Sequence, residues 1–280
     1  MTINCRGSLI DLTKPKVMGI LNITPDSFYD GGKYKDEKDI LAQVEAMLAQ
    51  GATFVDVGAY SSRPGAKEVT PTEELKRITP IVELLVRHFP EANLSIDTFR
   101  AVVAQACADR GAAMINDISA GALDQAMLPT MGKLKLPYVM MHMRGTPQDM
   151  QQRTDYQNLM KEIMHYFSQR IQRAVAHGVH DLVLDPGFGF AKTLEQNYGL
   201  LRDMDILKMA ERPILAGISR KSMIYKVLGS SAQDALNGTT ALHMVALQKG
   251  ANILRAHDVK EAVECVHLYL SLYPEVAHRP

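Results

Sequence analysis

The sequence predicts an α/β fold, and within that class a (β/α)8 barrel (TIM barrel) made of a single domain. Short apolar runs of strand length alternate with longer amphipathic segments, the runs are almost continuously apolar, and 280 residues hold eight of them. Continuously apolar strands are typical of parallel sheets covered on both faces. Eight strand–helix units in this length match a barrel. An open, doubly wound sheet gives the same local pattern and stays the alternative.

The predicted strands are spread along the whole chain. They are 16–23, 54–59, 93–98, 114–119, 138–143, 182–187, 213–219 and 253–258. No Pro/Ser-rich linker, internal repeat or low-complexity tract separates them. We therefore predict one domain over 1–280, with its core at about 16–273.

Helices are predicted between the strands. Residues 40–48 carry apolar side chains on one helical stripe. Residues 70–73, Thr-Pro-Thr-Glu, have the spacing of a capping box with proline at the first helical position, so a helix should begin there. The polar connection 144–155 should form a mobile loop. Glycines that follow amphipathic stretches, where a left-handed C-cap is needed, are Gly51, Gly111, Gly178 and Gly250.

Composition excludes several classes of function. Lys+Arg and Asp+Glu both total 31, so no global field would attract nucleic acid or an acidic membrane, and any anion site must be local. No apolar stretch approaches the roughly 20 residues that cross a bilayer, and the N-terminus lacks an apolar signal segment. The three cysteines have no paired spacing, which favours buried free thiols in a reducing compartment. We expect a cytoplasmic protein.

Polar side chains stand at the carboxyl end of nearly every predicted strand. They are Asn22, Asp56, Asp97, Asn116, Asp117, His142, Asp185, Ser219, Arg220, Lys221, Arg255 and His257. One such aspartate could simply cap the next helix. In a barrel, however, the whole set converges on the face that carries the active site.

The acidic and amide members of this set suggest a planar heterocycle. Asp97, Asn116 and Asp185 follow apolar strands, and buried carboxylates need partners. The in-plane N–H donors of an amino-pyrimidinone ring would satisfy them. For Asp185 alone, a cap on the following loop is the alternative. The apolar side chains expected to cover the ring are Ile118, Met140 and Phe190.

The cationic members suggest a pyrophosphate and a Mg²⁺ ion. Arginine grips phosphate bidentately, and one protein oxygen plus phosphate oxygens is the usual Mg²⁺ arrangement. Arg220 or Arg255, taken singly, could instead solvate a helix end. The proposed anion group is Arg220, Lys221, Arg255 and His257, with Asn22, Ser61 and Ser62.

Other motifs carry little chemistry. The segment GFGFAK at 187–192 lacks the third glycine of a dinucleotide-binding loop, and no Walker Lys-Ser/Thr follows it. No HExxH motif or Cys/His cluster supports a zinc site. The nine residues from 20 to 28, ILNITPDSF, pass from a strand into a polar loop that we interpret as a lid.

Seven segments, in order, resemble the dihydropteroate synthases, enzymes of folate synthesis that sulfonamides inhibit. The segments are GILNITPDSFYDGG (19–32), DVGAYSSRPGA (56–66), SIDT (95–98), INDISAG (115–121), LDPGFGFAK (184–192), GISRKS (217–222) and RAHDV (255–259). The resemblance covers nearly the whole chain. It implies a (β/α)8 barrel that joins 6-hydroxymethyl-7,8-dihydropterin pyrophosphate to p-aminobenzoate with Mg²⁺ and gives 7,8-dihydropteroate and pyrophosphate. It also implies a homodimer.

The resemblance implies a role for individual residues. Pterin contacts fall on Asp97, Asn116, Ile118, Met140, Asp185, Phe190 and Lys221. Pyrophosphate contacts fall on Asn22, Ser62, Arg255 and His257, with Asn22 as the metal ligand. The p-aminobenzoate pocket falls on Phe28, Arg63, Pro64, Phe190, Lys221 and Ser222. The expected catalytic residues are Asp97, Lys221, Asp30 and Arg63.

The chain departs from the family pattern at two positions. Ser62 stands where threonine is frequent and keeps the hydroxyl, and Ala191 stands where glycine is common. Two alternatives stay open: a pterin-binding methyltransferase domain, and a catalytically silent paralogue that binds pterin. The first has no use for a pyrophosphate grip or a Ser-Arg-Pro loop. The second would be expected to lose Lys221, Arg63 or the first loop.

Overall fold

Eight parallel strands close into a ring in the computed structural model, which describes residues 1–23, 37–60 and 69–277. An antiparallel hairpin, β1 (Thr2–Cys5) and β2 (Ser8–Asp11), precedes them. The eight strands are β3 (Lys16–Asn22), β4 (Phe54–Gly58), β5 (Asn93–Asp97), β6 (Met114–Asp117), β7 (Tyr138–Met141), β8 (Leu182–Asp185), β9 (Leu215–Ala216) and β10 (Ile253–Ala256). Their order is β8-β7-β6-β5-β4-β3-β10-β9, and a parallel bridge from Leu184 to Ile214 closes the ring. The barrel is confirmed, and the open sheet is not observed.

Helices follow the strands and cover the outside of the ring. Their bounds are α1 (Glu37–Ala49), α2 (Pro71–His88), α3 (Ala101–Ala108), α4 (Met127–Leu134), α5 (Leu159–Ala176), α6 (Leu194–Arg202), α7 (Ser222–Leu228), α8 (Leu236–Gln248), α9 (Val259–Leu272) and α10 (Pro274–Ala277). Short 3-10 helices span Met150–Gln152 and Met204–Ala210. The apolar stripe of 40–48 buries Ile40, Val44 and Met47, as the spacing predicts.

The predicted helix ends are confirmed. α2 begins at Pro71, and the Thr70 side chain accepts a hydrogen bond from the Glu73 N–H at 3.2 Å. The four predicted C-cap glycines all have left-handed backbone angles, for example φ of 98° at Gly51. A side chain would be strained there, which is the reason for glycine at these positions.

The N-terminal hairpin closes the barrel at the amino ends of the strands. Ile3, Cys5 and Leu12 are buried in one apolar cluster with Met18 and Phe54. The sequence analysis did not predict this hairpin, because β2 is short and its side chains are exposed or half-buried, which leaves no clear apolar pattern. All three cysteines, which lie in the described ranges, are buried and free, as predicted.

The predicted strands run one to three residues too far at their carboxyl ends. β6 ends at Asp117 and β8 at Asp185, where the prediction extended to 119 and 187. The side chain of each terminal aspartate accepts a hydrogen bond from the backbone two residues later, at Ser119 and Gly187, both at 2.7 Å. These turns take the chain out of the sheet, and an apolar count cannot detect them.

The polar connection 144–155 makes hydrogen bonds within itself and to a neighbouring loop, and its mobility stays a prediction. The Thr146 N–H donates to Asp149 Oδ1 at 2.6 Å, and Arg153 donates to Asp149 Oδ2 at 2.8 Å. The side chain of Gln151 donates to the Gly189 carbonyl at 3.3 Å. The segment therefore packs on the loop that follows β8. None of the helices in the described ranges is long and apolar enough to cross a membrane.

The N-cap of α5 gives a direct test of a local interaction. Asn158 Oδ1 accepts from the Lys161 N–H at 3.0 Å, and Asn158 has an extended backbone as an N-cap requires. We expect Asn158→Ala to lower the free energy of unfolding by about 1 kcal/mol, measured by urea denaturation. Asn158→Asp keeps the acceptor and should retain most of the stability. Equal losses in the two variants would contradict this role.

Candidate active site

A row of polar side chains crosses the mouth of the barrel at the carboxyl ends of β3 to β6. Asn22 is paired in register with Gly58, Gly58 with Asp97, and Asp97 with Asn116. Paired residues of neighbouring strands point to the same side of a sheet, so these side chains share the barrel interior. A Cβ placed on Gly58 would lie 3.7 Å from both Asn22 Oδ1 and Asp97 Oδ2, so the absence of a side chain lets these oxygens face one space.

Arg255 lies between two carboxylates. Its Nε donates to Asp56 Oδ2 at 2.6 Å, and a terminal nitrogen donates to Asp97 Oδ2 at 2.9 Å. Asn116 also donates its side-chain N–H to Asp56 Oδ2, at 3.0 Å. Asp56 is 0% exposed, and its Oδ1 has no hydrogen-bond partner among the described residues. Asp56 therefore fixes the position of two predicted ligand-binding side chains.

Burial and charge shift the pKa values of this group. Burial raises the pKa of Asp97 to about 7; Arg255 opposes this shift and the Asp56 carboxylate adds to it. Burial alone would lower the pKa of Arg255, but Asp56 and Asp97 raise it by more, so the net shift is upward. The guanidinium stays charged, while Asp97 titrates close to neutral pH.

Asp185 and Lys221 lie near each other beside Gly217 and interact through their charges. A Cβ placed on Gly217 would lie 3.8 Å from both Asp185 Oδ2 and Lys221 Nζ. Burial raises the pKa of Asp185, opposed by Lys221, and lowers the pKa of Lys221 to about 8, opposed by Asp185. Asp185 Oδ1 accepts from the Gly187 N–H, so one oxygen caps the following loop and the other faces Lys221. The cap on the following loop is therefore confirmed for Oδ1, and the ring-binding role of Asp185 stays a prediction.

Lys221 also contacts the loop that follows β8. Its Nζ donates to the Phe188 carbonyl and lies 4.9 Å from the centre of the Phe190 ring. Ser222 follows as the first residue of α7 and is half-buried. The lysine, the aromatic ring and the helix start therefore form one wall of the pocket.

Ser219 positions His257 at the rim. Ser219 Oγ lies 3.0 Å from His257 Nδ1 and accepts from the His257 backbone N–H at 3.1 Å. The His257 side chain is exposed. The sequence placed Ser219 at a strand end without a role, because its partner is 38 residues away.

The prediction for Met140 is wrong. Met140 is fully buried in the apolar cluster between the barrel and the helices. The next residue, Met141, is paired in register with Asp185 and therefore points into the barrel, where it clusters with Ile118 and Phe190. Methionines at both 140 and 141 hide the inward register from sequence inspection, and a shift of one residue reverses the side.

Two other polar side chains have structural partners. Arg220 donates two hydrogen bonds to Asp258, both at 2.8 Å, and another to the Ala232 carbonyl at 2.9 Å. Asp117 accepts from Ser119, from Gly121 and from the Tyr138 hydroxyl. Arg220 is thus held at a helix end, as its alternative interpretation suggested, and Asp117 stabilises a turn.

The remaining predicted site residues lie outside the described residues. They are Phe28, Asp30, Ser61, Ser62, Arg63 and Pro64. In the described ranges, no group of three or more His, Cys, Asp or Glu side chains could hold a metal ion. Mg²⁺ can also bind through a single protein oxygen, with phosphate and water oxygens as its other ligands. Asn22 Oδ1, which lies beside Asp97, fits this arrangement.

The fold and the pocket define a (β/α)8-barrel enzyme with a mixed acidic and cationic site at the carboxyl face. A family model described as "Pterin binding enzyme" matches residues 18–257. The dihydropteroate synthase of Escherichia coli (strain K12) is 41% identical over 274 residues, which cover 96% of this chain and 95% of that protein.

The solved structures that this chain resembles are also dihydropteroate synthases. The crystal structure of the Yersinia pestis dihydropteroate synthase with sulfonamide drug complex has a TM-score of 0.92 at 43% identity and covers 98% of this chain and 100% of that one. The Xanthomonas albilineans dihydropteroate synthase with 4-aminobenzoic acid has a TM-score of 0.89 at 36% identity, with coverage of 100% and 99%. The chain belongs to the dihydropteroate synthase family of pterin binding enzymes, which are transferases of folate synthesis. These matches do not support the methyltransferase alternative.

Proposed function

We propose that this protein joins 6-hydroxymethyl-7,8-dihydropterin pyrophosphate to p-aminobenzoate, forming 7,8-dihydropteroate and releasing pyrophosphate. One observation carries the proposal: Asp97, Asn116 and Asp185 share a pocket with the half-buried cations Arg255 and Lys221. Such a pocket can accept the N–H donors of a pterin edge and also hold an anionic group. The homodimer and the cytoplasmic location stay predictions.

The pterin edge would bind to the acceptors on the pocket floor. Asn116 donates its N–H to Asp56, which leaves its Oδ1 as an acceptor for the ring. Asp185 Oδ2 and Asp97 supply carboxylate oxygens, which make stronger hydrogen bonds than neutral acceptors do. Lys221 is a donor for the ring carbonyl. The apolar side chains that would cover the ring are Ile118, Met141 and Phe190.

The pyrophosphate would bind at the rim. Arg255 and His257 are donors there, with Asn22 beside them and Ser62 added from the resemblance. When bound at Asn22, Mg²⁺ would supply positive charge against the pyrophosphate oxygens. The p-aminobenzoate would bind near Lys221 and Ser222. The remaining residues of that pocket come from the resemblance and are Phe28, Arg63, Pro64 and Phe190.

The reaction needs charge placement more than proton abstraction. The methylene C–O bond breaks, its electron pair leaves with pyrophosphate, and the positive charge spreads into the electron-rich dihydropterin ring. The neutral arylamine attacks the methylene carbon and then loses a proton to solvent. Asp97, as a carboxylate, offsets the positive charge, and Arg255 stabilises the leaving anion. We assign Asp30 to the vicinity of the reacting carbon by the resemblance alone.

Pyrophosphate release tests the proposal. We expect release only when both substrates and Mg²⁺ are present, loss of release after chelation, and recovery when Mg²⁺ is added back. Lys133→Met, an exposed side chain on α4, should match the unmodified protein. Pterin binding without any release would contradict the proposal and favour the silent paralogue. Release that does not need p-aminobenzoate would indicate hydrolysis instead.

A further inference from the structure

A buried lysine lies next to the pocket and has no role in the proposed reaction. Lys192 ends the segment GFGFAK in the loop between β8 and α6, and it is 4% exposed. A buried ammonium is costly unless hydrogen bonds replace its hydration. The surroundings of its Nζ therefore decide what it does.

The Lys192 amino group has three acceptors. Nζ lies 2.9 Å from the Gly187 carbonyl, 3.0 Å from the Phe190 carbonyl and 3.1 Å from His142 Nδ1. An ammonium has three N–H donors and no acceptor, so in the charged form each donor meets one of these three acceptors. The neutral amine has two N–H donors and one lone pair, and it keeps all three contacts only if the His142 ring proton lies on Nδ1.

His142 can accept this hydrogen bond because it is neutral. The side chain is 2% exposed, and burial, with the Lys192 and Arg144 charges, lowers its pKa well below the usual range. Opposite a charged Lys192, the neutral ring carries its proton on Nε2, so that Nδ1 accepts from the ammonium. His142 directly follows β7, so the lysine ties the loop after β8 to the neighbouring strand.

We propose that Lys192 is a positioning residue for the pterin pocket: its ammonium fixes the loop that carries Phe190 to the end of β7 and so holds the Phe190 ring in place. The inference rests on the proposed pterin binding. Phe190 and Lys221 both depend on this loop, since Lys221 donates to the Phe188 carbonyl and faces the Phe190 ring. Loss of the hydrogen bond between Lys192 and His142 would displace the Phe190 ring and the Lys221 side chain together.

The proposal has a pH dependence with a defined sign. Burial lowers the pKa of Lys192 to about 7; Asp185 opposes the shift, and Lys221 and Arg144 add to it. The other titratable groups packed against the pair are Tyr166, whose ring centre lies 4.9 Å from that of His142, and Tyr156, which donates to the Ala191 carbonyl at 2.9 Å. Deprotonation of Lys192 removes the charge that strengthens its hydrogen bonds and requires the His142 ring proton to move if all three are to be kept. The contribution of Lys192 to pterin affinity should therefore fall as the pH rises above 7, in the opposite sense to the gain from ionisation of Asp97.

The experiment is an equilibrium titration of the full-length protein with 6-hydroxymethylpterin between pH 6 and 9. At pH 6 we expect Lys192→Met to bind about tenfold more weakly than the unmodified protein, and the ratio of the two affinities to shrink as the pH rises above 7. Lys133→Met is the control lysine variant. His142→Asn keeps an acceptor close to the Nδ1 position and should bind more tightly than His142→Leu.

Hydrogen exchange of the free protein gives a readout that needs no ligand. The amides of Gly187, Gly189 and Phe190 are hydrogen-bonded within the loop or to Asn197. In Lys192→Met their exchange should accelerate relative to Lys133→Met, while β3 to β6 stay protected. The same comparison with His142→Leu applies if Lys192→Met does not fold.

The outcomes separate the two proposals. Unchanged pterin affinity, unchanged pH dependence and unchanged exchange in Lys192→Met would overturn the positioning role, even if the protein makes dihydropteroate. No pterin binding by the unmodified protein would overturn the proposed function. Faster exchange in the loop would then still support the tie between Lys192 and His142.

Discussion

Asp56→Ala is expected to lower the free energy of unfolding by about 3 kcal/mol, because it leaves a half-buried guanidinium with only one of its two carboxylate partners. Asp56 is fully buried and accepts from both Arg255 and Asn116. Without it, Arg255 is free to turn towards Asp97 and Asn116 loses the bond that orients it. We expect kcat/KM to fall at least about 100-fold, since small displacements of binding groups cost that much. Urea denaturation and steady-state kinetics measure the two effects.

Matched variants separate charge from shape. Asp56→Asn keeps an oxygen acceptor for Arg255 Nε and nearly the same volume but removes the negative charge. Its free energy of unfolding and its kcat/KM should both lie between the values of the unmodified protein and those of Asp56→Ala. Combining Asp56→Asn with Arg255→Met should cost less stability than the sum of the single changes, because the double variant no longer leaves the fully buried Asp56 carboxylate without a cation. A stability loss below about 0.5 kcal/mol in Asp56→Ala would contradict the assigned role.

The face of the barrel that carries the site was predictable, and the partners within it were not. Asp97, Asn116 and Asp185 stand at strand ends in the sequence, and parallel strands bring such ends together. The pair between Asp56 and Arg255 joins residues 199 positions apart, and no local spacing reports it. Sequence inspection placed Asp56 at a strand end and assigned it nothing.

The direction of side chains limited the prediction in a second way. Met140 and Met141 differ only in which side of β7 they occupy, and hydrogen-bond register, not residue type, decides this. Lys192 stands in a segment that sequence inspection set aside as a weak glycine motif. Its role was not predictable, because its three acceptors come from two separate loops. Burial of a lysine cannot be read from the residues beside it.

The charges of the pocket are interleaved, whereas the sequence analysis assigned the acidic and amide side chains to one ligand group and the cationic side chains to another. Arg255 lies directly between Asp56 and Asp97, and Lys221 lies beside Asp185. Buried ions of one sign would repel each other and lose hydration, so each cation is placed against an acid. A ligand therefore meets donors and acceptors side by side, and binding must compete with these existing pairs.

The pH dependence of catalysis is the second large effect we expect. The pKa of Asp97 lies at about 7, so the carboxylate that would accept from the pterin ring is lost as the pH falls below that value. The value of kcat/KM should drop about tenfold per pH unit on this acid limb, because it reports the free enzyme. Stability changes in the opposite sense. The folded pKa lies above the unfolded value of about 3.9, so this group's contribution to stability is lost as the pH rises from about 4 to 7.

Asp97→Asn tests the assignment of that limb. An amide presents one acceptor oxygen and one N–H donor group. In one orientation its N–H group faces the pterin N–H, and in the other it faces Arg255. In neither orientation does it carry the negative charge that pairs with Arg255. We expect kcat/KM at pH 8 to fall 100-fold or more, which corresponds to the loss of a charge-assisted hydrogen bond worth about 3 kcal/mol. The pH profile of the variant should have no acid limb near pH 7. An acid limb that persists unchanged in Asp97→Asn would assign it to another group. Because Lys192 loses its proton in the same range with the opposite consequence, Lys192→Met should lower kcat/KM at pH 6 to 7 and approach the unmodified protein above pH 7, while the acid limb stays in place.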